Sequence, residues 1–348
     1  LFLLLSFYYD LNIAKNLSIG VTLSGILQFL ILIFFAKNFY FPSIELVFSF
    51  SERIKFFFKK LLPSIFSSGI TQINILIGTI IASFQTGAVS YLYYADRVYQ
   101  INLAIAGIAV GTVALPALSK SIKLNDQKSI NRIQNRSIEL SLLFSIPATF
   151  GLLIASKIII NCLFGYGSFD SDDIIYTSLA LTFFAIGVPA FSLIKILSNF
   201  YFARDNTKLP FYISLISMII NITISVSLFR KYGFIIIPIA TSLSTWIAVL
   251  VYLILLNKGK LINFSNNYLL NFFKILLATI IMCIFLYFGL DYFEDKFEYS
   301  NKFKLIYLLI VIGSASAIYL IIVFLSAAIY LFLARFLGIL NLKSYKLK

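Results

Sequence analysis

Apolar runs long enough to cross a bilayer recur along the whole chain. They lie at 18–36, 61–86, 88–118, 134–156, 174–202, 210–229, 233–257, 268–290 and 304–334. A helix needs about 20 consecutive apolar residues to traverse a hydrocarbon core about 30 Å thick. Inside that core a backbone can satisfy its own polar groups only as a helix or a closed barrel. The pattern predicts an all-α polytopic membrane protein with about nine full transmembrane helices. A tenth run, LFLLLSFYY at 1–9, is half the spanning length and lacks the basic start of a signal peptide. It is expected to be the tail of a truncated helix. Composition agrees: 12% of the residues are charged and 60% are hydrophobic, whereas a soluble domain carries about 25% charge.

The turns between the runs carry the topology. Of the 28 lysines and arginines, 19 fall in one alternating set of gaps, at 37–60, 119–136, 203–209, 257–274 and 335–348. Seven fall in the other set, and Arg97 and Lys195 lie within spans. The basic set is expected to face the cytoplasm by the positive-inside rule. The acids agree, because Asp170, Asp172, Asp173, Asp291, Glu294, Asp295 and Glu298 all sit in the other set. The net charge of +14 is therefore a topology signal with room for anionic lipid, and does not point to nucleic acid. The basic, aromatic stretch ERIKFFFKK at 52–60 is expected to lie along the cytoplasmic interface as a linker.

Several classes of chemistry are excluded. There is no histidine, so there is no histidine base, ligand or triad. Cys162 and Cys283 lie far apart in separate apolar runs and are read as core or lipid-facing residues, so no metal site and no cofactor is expected. No phosphate-binding loop of the ATPase type is present. A transporter, not an enzyme, is the natural remaining class.

Charges inside spans narrow the reading, since each costs about 2.5–3.5 kcal/mol to insert and needs a partner or a wet cavity. Asp96 and Arg97 fall about 12–14 Å inside the outer end of their helix, near the midplane. Helical spacing puts Ser90, Tyr93 and Tyr94 on the face of Arg97. Arg97 is either one half of an ion pair stapling two helices or a fixed cation in a central cavity. The second role suits a phosphate, because the guanidinium presents two donors and stays charged. Polar stripes recur at Ser67, Thr71, Asn74 and Gly78, at Ser214, Ser217, Asn221 and Ser225, and at Thr241 and Thr245. Such stripes are interhelical glue or the wall of a hydrated cavity. Lys195 either snorkels to the cytoplasmic surface or faces that cavity. Glu139 is expected to reach water. The spacing Gly107-x-x-x-Gly111 points to close helix packing.

Three stretches, SSGITQINILIGTIIASF at 67–84, GAVSYLYYADRVYQINLAIAGIAVGTVALPALSKS at 87–121 and VPAFSLIKILSNFYFARDNTKLPFYIS at 188–214, resemble the MurJ/MviN lipid II flippases. They occur in the family's order, and the resemblance covers essentially the whole chain. It implies a MOP-type helical bundle in the bacterial inner membrane. Residues 1–36 would end the N-terminal lobe, 37–60 would be the cytoplasmic linker, 61–257 the C-terminal six-helix lobe, and 258–348 two helices forming a lipid-tail groove plus a tail. The implied substrate is lipid II, an undecaprenyl diphosphate bearing the peptidoglycan precursor, translocated by alternating access. The remaining partners would be membrane lipids and the family's N-terminal lobe. Arg97 corresponds to the family's cavity arginine, Asp96 to its neighbour and Ser90 to a lining position. With Tyr93, Tyr94, Asn74 and Lys195 these form the expected substrate set. Asn221 and Thr241 fall near the family's sodium ligands, but its acidic position in the seventh helix is Gly78 here. A weak ion site at most is expected. The alternatives are an exporter of another polyprenyl-linked glycan or a drug, and an inactive remnant.

Overall fold

The structure, a computed structural model, describes residues 13–37, 51–264 and 268–336. The run at 1–9, most of the linker at 38–50 and the tail at 337–348 lie outside the described residues. Among the described residues the chain is helical and divides into two units, Leu1–Phe57 and Phe58–Lys348. The first unit contains α1, Ile13–Ala36, whose side chains beyond Gly20 are exposed almost throughout, as lipid contact requires of an apolar helix.

Helix α2 is Glu52–Ala82, so the segment expected as an interfacial linker at 52–60 is continuous with the span that follows it. A turn then reverses the chain at Gly87, whose φ of 77° suits a residue without a Cβ, and α3 runs Ala88–Leu103. A π-helical stretch, Ala104–Ala109, joins α3 to α4, Val110–Lys123. Then come α5, Gln127–Phe164, and α6, Ser171–Phe202. They are followed by α7, Lys208–Tyr232, and α8, Ile236–Lys258. The last two are α9, Tyr268–Tyr292, and α10, Lys304–Phe336.

Local chemistry sets these boundaries. Asp126 caps α5 by accepting from the amide and hydroxyl of Ser129 at 3.1 and 2.6 Å, bonds that hold its carboxyl below the usual range. Asp170 and Asp173 cap α6 reciprocally. Pro210 and Pro238 fall in the first turns of α7 and α8, where an amide hydrogen is not needed. Pro147 and Pro189 are internal and buried in α5 and α6, where neighbouring helices shield the freed carbonyls.

Helices α5 and α6 form the centre of the second unit. α6 packs against α3, the π-helical stretch and α8, while α5 packs against α9. Among the described residues seven segments are long and apolar enough to cross a membrane, and one of them, Lys208–Lys258, holds both α7 and α8. The chain is a multi-pass membrane protein.

The two ends of this unit are knit separately. At the basic end, Asn135 donates to the Asn263 carbonyl at 2.7 Å and Arg204 to the Leu261 carbonyl at 3.4 Å. At the acidic end, Asn161 donates to the Phe297 carbonyl and Tyr299 to those of Gly167 and Phe169. Gaps grouped by charge sign in the sequence thus touch one another in space.

Candidate functional site

Helix α3 carries the intramembrane charges. Neighbouring residues on a helix point about 100° apart, and the structure sends Asp96 and Arg97 to different surroundings. Asp96 is half-buried. Gln100, one turn on, donates to its carboxylate, and the Tyr99 hydroxyl hydrogen-bonds it too. Tyr99 is itself fixed against Phe184 and Phe191 of α6, with ring centroids at 4.9 and 5.2 Å. Asp96 therefore faces the α6 side of its helix.

Arg97 faces away from that packing. It is exposed, and its guanidinium lies 4.7 Å from the centre of the Tyr93 ring, one turn earlier. Among the described residues no carboxylate lies within 4.0 Å of it. The ring supplies a modest attraction of about 0.5–1 kcal/mol at an exposed site. It restrains the side chain while leaving the guanidinium's hydrogen-bond donors open. Ser90, two turns before Arg97, is exposed as well. Tyr94 is turned the other way: its ring packs on Phe164 at 4.8 Å and on Phe169 at 5.4 Å. It braces the first half of α3 and does not share the open face of Arg97.

About 15 Å further along the same helix, the π-helical stretch brings Gly107 against α6. A Cβ at Gly107 would stand 3.0 Å from the Ser192 Cα, and one at Gly111 would stand 2.9 Å from the Asn199 amide nitrogen. Asn199 uses that nitrogen to donate to the Gly111 carbonyl at 2.9 Å. Packing is thus the reason for both glycines. Beside them opens a cleft of about 480 Å³ lined by Thr71, Lys195, Ser198, Asn199 and Ser214. Lys195 is exposed on this cleft, at a different depth from Arg97.

A second polar group joins three helices. Asn221 of α7, 6% exposed, donates to Asn74 of α2 at 3.0 Å and to Thr241 of α8 at 3.3 Å. Ser225 donates to the Asn221 side-chain oxygen at 3.2 Å, and Thr241 donates to the Ile237 carbonyl. Asn74 therefore sits with Asn221 and Thr241, in a cluster built of neutral groups that are already hydrogen-bonded to one another. Gly78 faces α8, since a Cβ there would touch Ile237 at 3.7 Å. Among the described residues no three His, Cys, Asp or Glu side chains gather as a metal would need. The Ser67 side chain lies outside the described residues.

Two features have no signal in the linear sequence. Glu139 meets Asn271 of α9, which donates to it at 3.1 Å. Lys304, the first residue of α10, is fully buried against the end of α5. Its ammonium donates to the Asn161 side-chain oxygen at 3.1 Å and to the carbonyls of Gly165 at 2.7 Å and Tyr299 at 3.3 Å. It also lies 4.1 and 4.8 Å from the ring centres of Tyr166 and Tyr299. These partners lie far apart along the chain, so no spacing could announce them.

A family model described as "Lipid II flippase MurJ" matches residues 1–309. A "Probable lipid II flippase MurJ" of Rickettsia prowazekii (strain Madrid E) is 38% identical over 234 residues, covering 66% of this chain and 46% of that protein. One of Rhizobium tropici is 36% identical over 254 residues, covering 72% of this chain and 48% of its own length. The chain thus spans about half the length of these relatives. Among solved structures, "Lipid II flippase MurJ, inward closed conformation" superimposes with a TM-score of 0.70 at 30% identity. That match covers 95% of this chain and 65% of that one. An outward-facing multidrug resistance MATE family transporter of the MOP superfamily matches with a TM-score of 0.52 at 15% identity, covering 75% of this chain and 62% of its own, a likeness of fold alone.

Proposed function

Since the chain belongs to the MurJ lipid II flippase family, we propose that it takes part in moving lipid II from the cytoplasmic to the outer leaflet of the inner membrane. The observation that carries the reading is Arg97, an exposed guanidinium within a candidate membrane span, with no carboxylate partner among the described residues and one ring restraining it. A diphosphate entering a low-dielectric cavity must replace its hydration shell with donors. A guanidinium supplies two parallel N–H donors to two phosphate oxygens and remains charged throughout. Ser90 and the Tyr93 hydroxyl would add neutral donors on the same helix. Lys195 would offer a second cation about 15 Å toward the cytoplasmic end, so that the headgroup exchanges one cation for the other along its path.

In this reading the substrate tail stays in lipid while two lobes rock about the site. The second lobe would be 61–257, with α7 and α8 counted as separate spans and α2 as another, giving nine in all. The groove pair would be α9 and α10. The length of the relatives leaves room for a first lobe contributing further cavity cations. The cluster at Asn74, Asn221 and Thr241 lacks a carboxylate, so tight sodium binding there is disfavoured. Coupling would come instead from the membrane potential, worth about 2.3 kcal/mol per charge per 100 mV.

The test is complementation. The chain, joined to the N-terminal lobe that its relatives carry, is expressed in a bacterium depleted of its own lipid II flippase. Growth should be restored, lost with Arg97→Ala at equal membrane abundance, and not recovered by Arg97→Lys, which cannot grip two oxygens as a fork. Rescue that survives Arg97→Ala would remove Arg97 from the site. Absence of any rescue would remove the flippase reading.

A further inference from the structure

The helical segment that carries Arg97 runs on through the π-helical stretch to Lys123, 36 residues in all. Its last turns hold two exposed cations, Lys120 and Lys123, and among the described residues neither has an ion-pair partner. With Pro116, Ser119 and Leu124 they line a recess of about 390 Å³. Lysines at this end are expected from the positive-inside rule alone, so their charge by itself names no ligand. Their angular position is more specific.

Arg97 lies 23 positions before Lys120 and 26 before Lys123. At about 100° per residue, an unbroken α-helix would turn the two lysines about 140° and about 80° away from the guanidinium. The π-helical stretch Ala104–Ala109 changes that phase. A π turn closes on residue i+5 where an α turn closes on i+4, so it takes in one extra residue. That removes about 100° of rotation, leaving Lys120 about 40° to one side of Arg97 and Lys123 about 20° to the other. Exposure follows the same line: between the cations, Ile101, Ile105 and Val113 are 62%, 51% and 75% exposed. One open face therefore runs the length of the segment, with Arg97 in its first half, an apolar strip after it and two cations at the basic end. Lys195 flanks the strip about midway, in the cleft beside Gly107 and Gly111.

We propose that Lys120 and Lys123 are an entry site on this face, where the diphosphate of a polyprenyl lipid is held before it passes to Lys195 and Arg97, an inference that rests on the flippase reading above. Residues three apart on a helix have Cβ atoms about 5–6 Å from one another, so the two ammoniums close on adjacent phosphoryl groups. The prenyl chain lies along Val113 and Pro116, which are exposed. A segment of 36 residues is about 54 Å long, and a bilayer with its headgroups is about 40–45 Å thick. With Ala88 at one headgroup layer, the two lysines stand at the other. The carbonyl end of α4 disfavours an anion, so binding there depends on both lysines together.

The test places a photoreactive p-benzoylphenylalanine at Val113 of the chain, in vesicles of phosphatidylethanolamine and phosphatidylglycerol that contain labelled undecaprenyl diphosphate. Illumination should attach the label to the chain. Lys120→Gln combined with Lys123→Gln should lower the yield about thirtyfold, from two surface lysines at about 1 kcal/mol each. Lys258→Gln combined with Lys260→Gln removes the same charge from exposed positions in another basic turn and should leave the yield unchanged. Unlabelled undecaprenyl diphosphate should compete in the parent, and a larger share of phosphatidylglycerol should not. Unfolding temperatures are compared alongside. No attachment in the parent would overturn the entry site. So would a parent-like yield in the folded Lys120/Lys123 variant, an equal fall in the Lys258/Lys260 control, or displacement by phosphatidylglycerol. Growth rescue that depends on Arg97, found together with any of those results, would keep the flippase reading and remove only this site.

Discussion

Replacing Lys304 with methionine tests how α10 is anchored to the bundle. The ammonium is buried with no carboxylate partner among the described residues, yet it has three oxygen acceptors between 2.7 and 3.3 Å and two aromatic neighbours. Two of the acceptors, Asn161 Oδ1 and the Gly165 carbonyl, belong to the C-terminal end of α5, where the helix dipole favours a cation. Methionine fills a similar volume and removes the cost of desolvating a charge, which works in the variant's favour. Against that, it strands buried acceptors at about 1–3 kcal/mol each. It also forfeits ring contacts worth about 0.5–2 kcal/mol. The acceptor losses exceed the relief, and the expected net destabilisation is about 2–4 kcal/mol. At about 2–4 °C per kcal/mol, the scale of large single domains, the apparent unfolding temperature in detergent should fall by roughly 4–16 °C. The connection at 293–303 should become more sensitive to protease, because Tyr299 and Phe297 are held by the same cluster. An unfolding temperature within a degree of the parent, or above it, would refute the reasoning. It would mean that the desolvated charge costs as much as its bonds return.

Two further expectations concern the helix contacts around the site. Asn221→Ala removes the donor that joins α2, α7 and α8 and should cost about 1–2 kcal/mol, given about 0.6 kcal/mol per interhelical bond in membranes. Asn221→Asp, which adds a charge to a neutral cluster, should destabilise more unless sodium is supplied. A sodium-independent melting curve equal to the parent's would contradict this. Gly107→Val pushes a side chain into the α6 backbone, because even a Cβ would sit 3.0 Å from the Ser192 Cα. A loss of about 1–3 kcal/mol is expected from overpacking, read as reduced membrane abundance and unfolding temperature, with Gly107→Ala intermediate. Parent-like behaviour of both would show that α3 and α6 separate freely there.

The membrane architecture was legible in the linear sequence because it rests on one-dimensional quantities. Run length sets the helices, and the alternation of basic and acidic turns sorts their ends. The structure reports the same sorting as physical contact between like-charged turns. Arg97 was legible for a similar reason: a lone guanidinium in an apolar run draws notice wherever the chain folds. Its freedom from an ion pair was not, because Asp96 next door is an obvious candidate partner. Only the packing of Tyr99 against Phe184 and Phe191 shows that the carboxylate is held on the other side. Tyr94 was misleading in the same way. Spacing places it near Arg97, and the rotation of α3 against Phe164 and Phe169 turns it away.

What the sequence by itself determined is thus the class of solvent, the helical segments, the family motifs and the presence of a guanidinium at Arg97 within an apolar run. What only the tertiary structure decided is which polar groups meet. Asn74 and Asn221 are 147 positions apart, and Lys304 and Asn161 are 143 apart. Helical periodicity says which residues share a face, but it is silent on which helix that face will meet. That choice depends on the rotation and crossing of whole helices, where close packing and the cost of stranding a polar group in a dry interior act together.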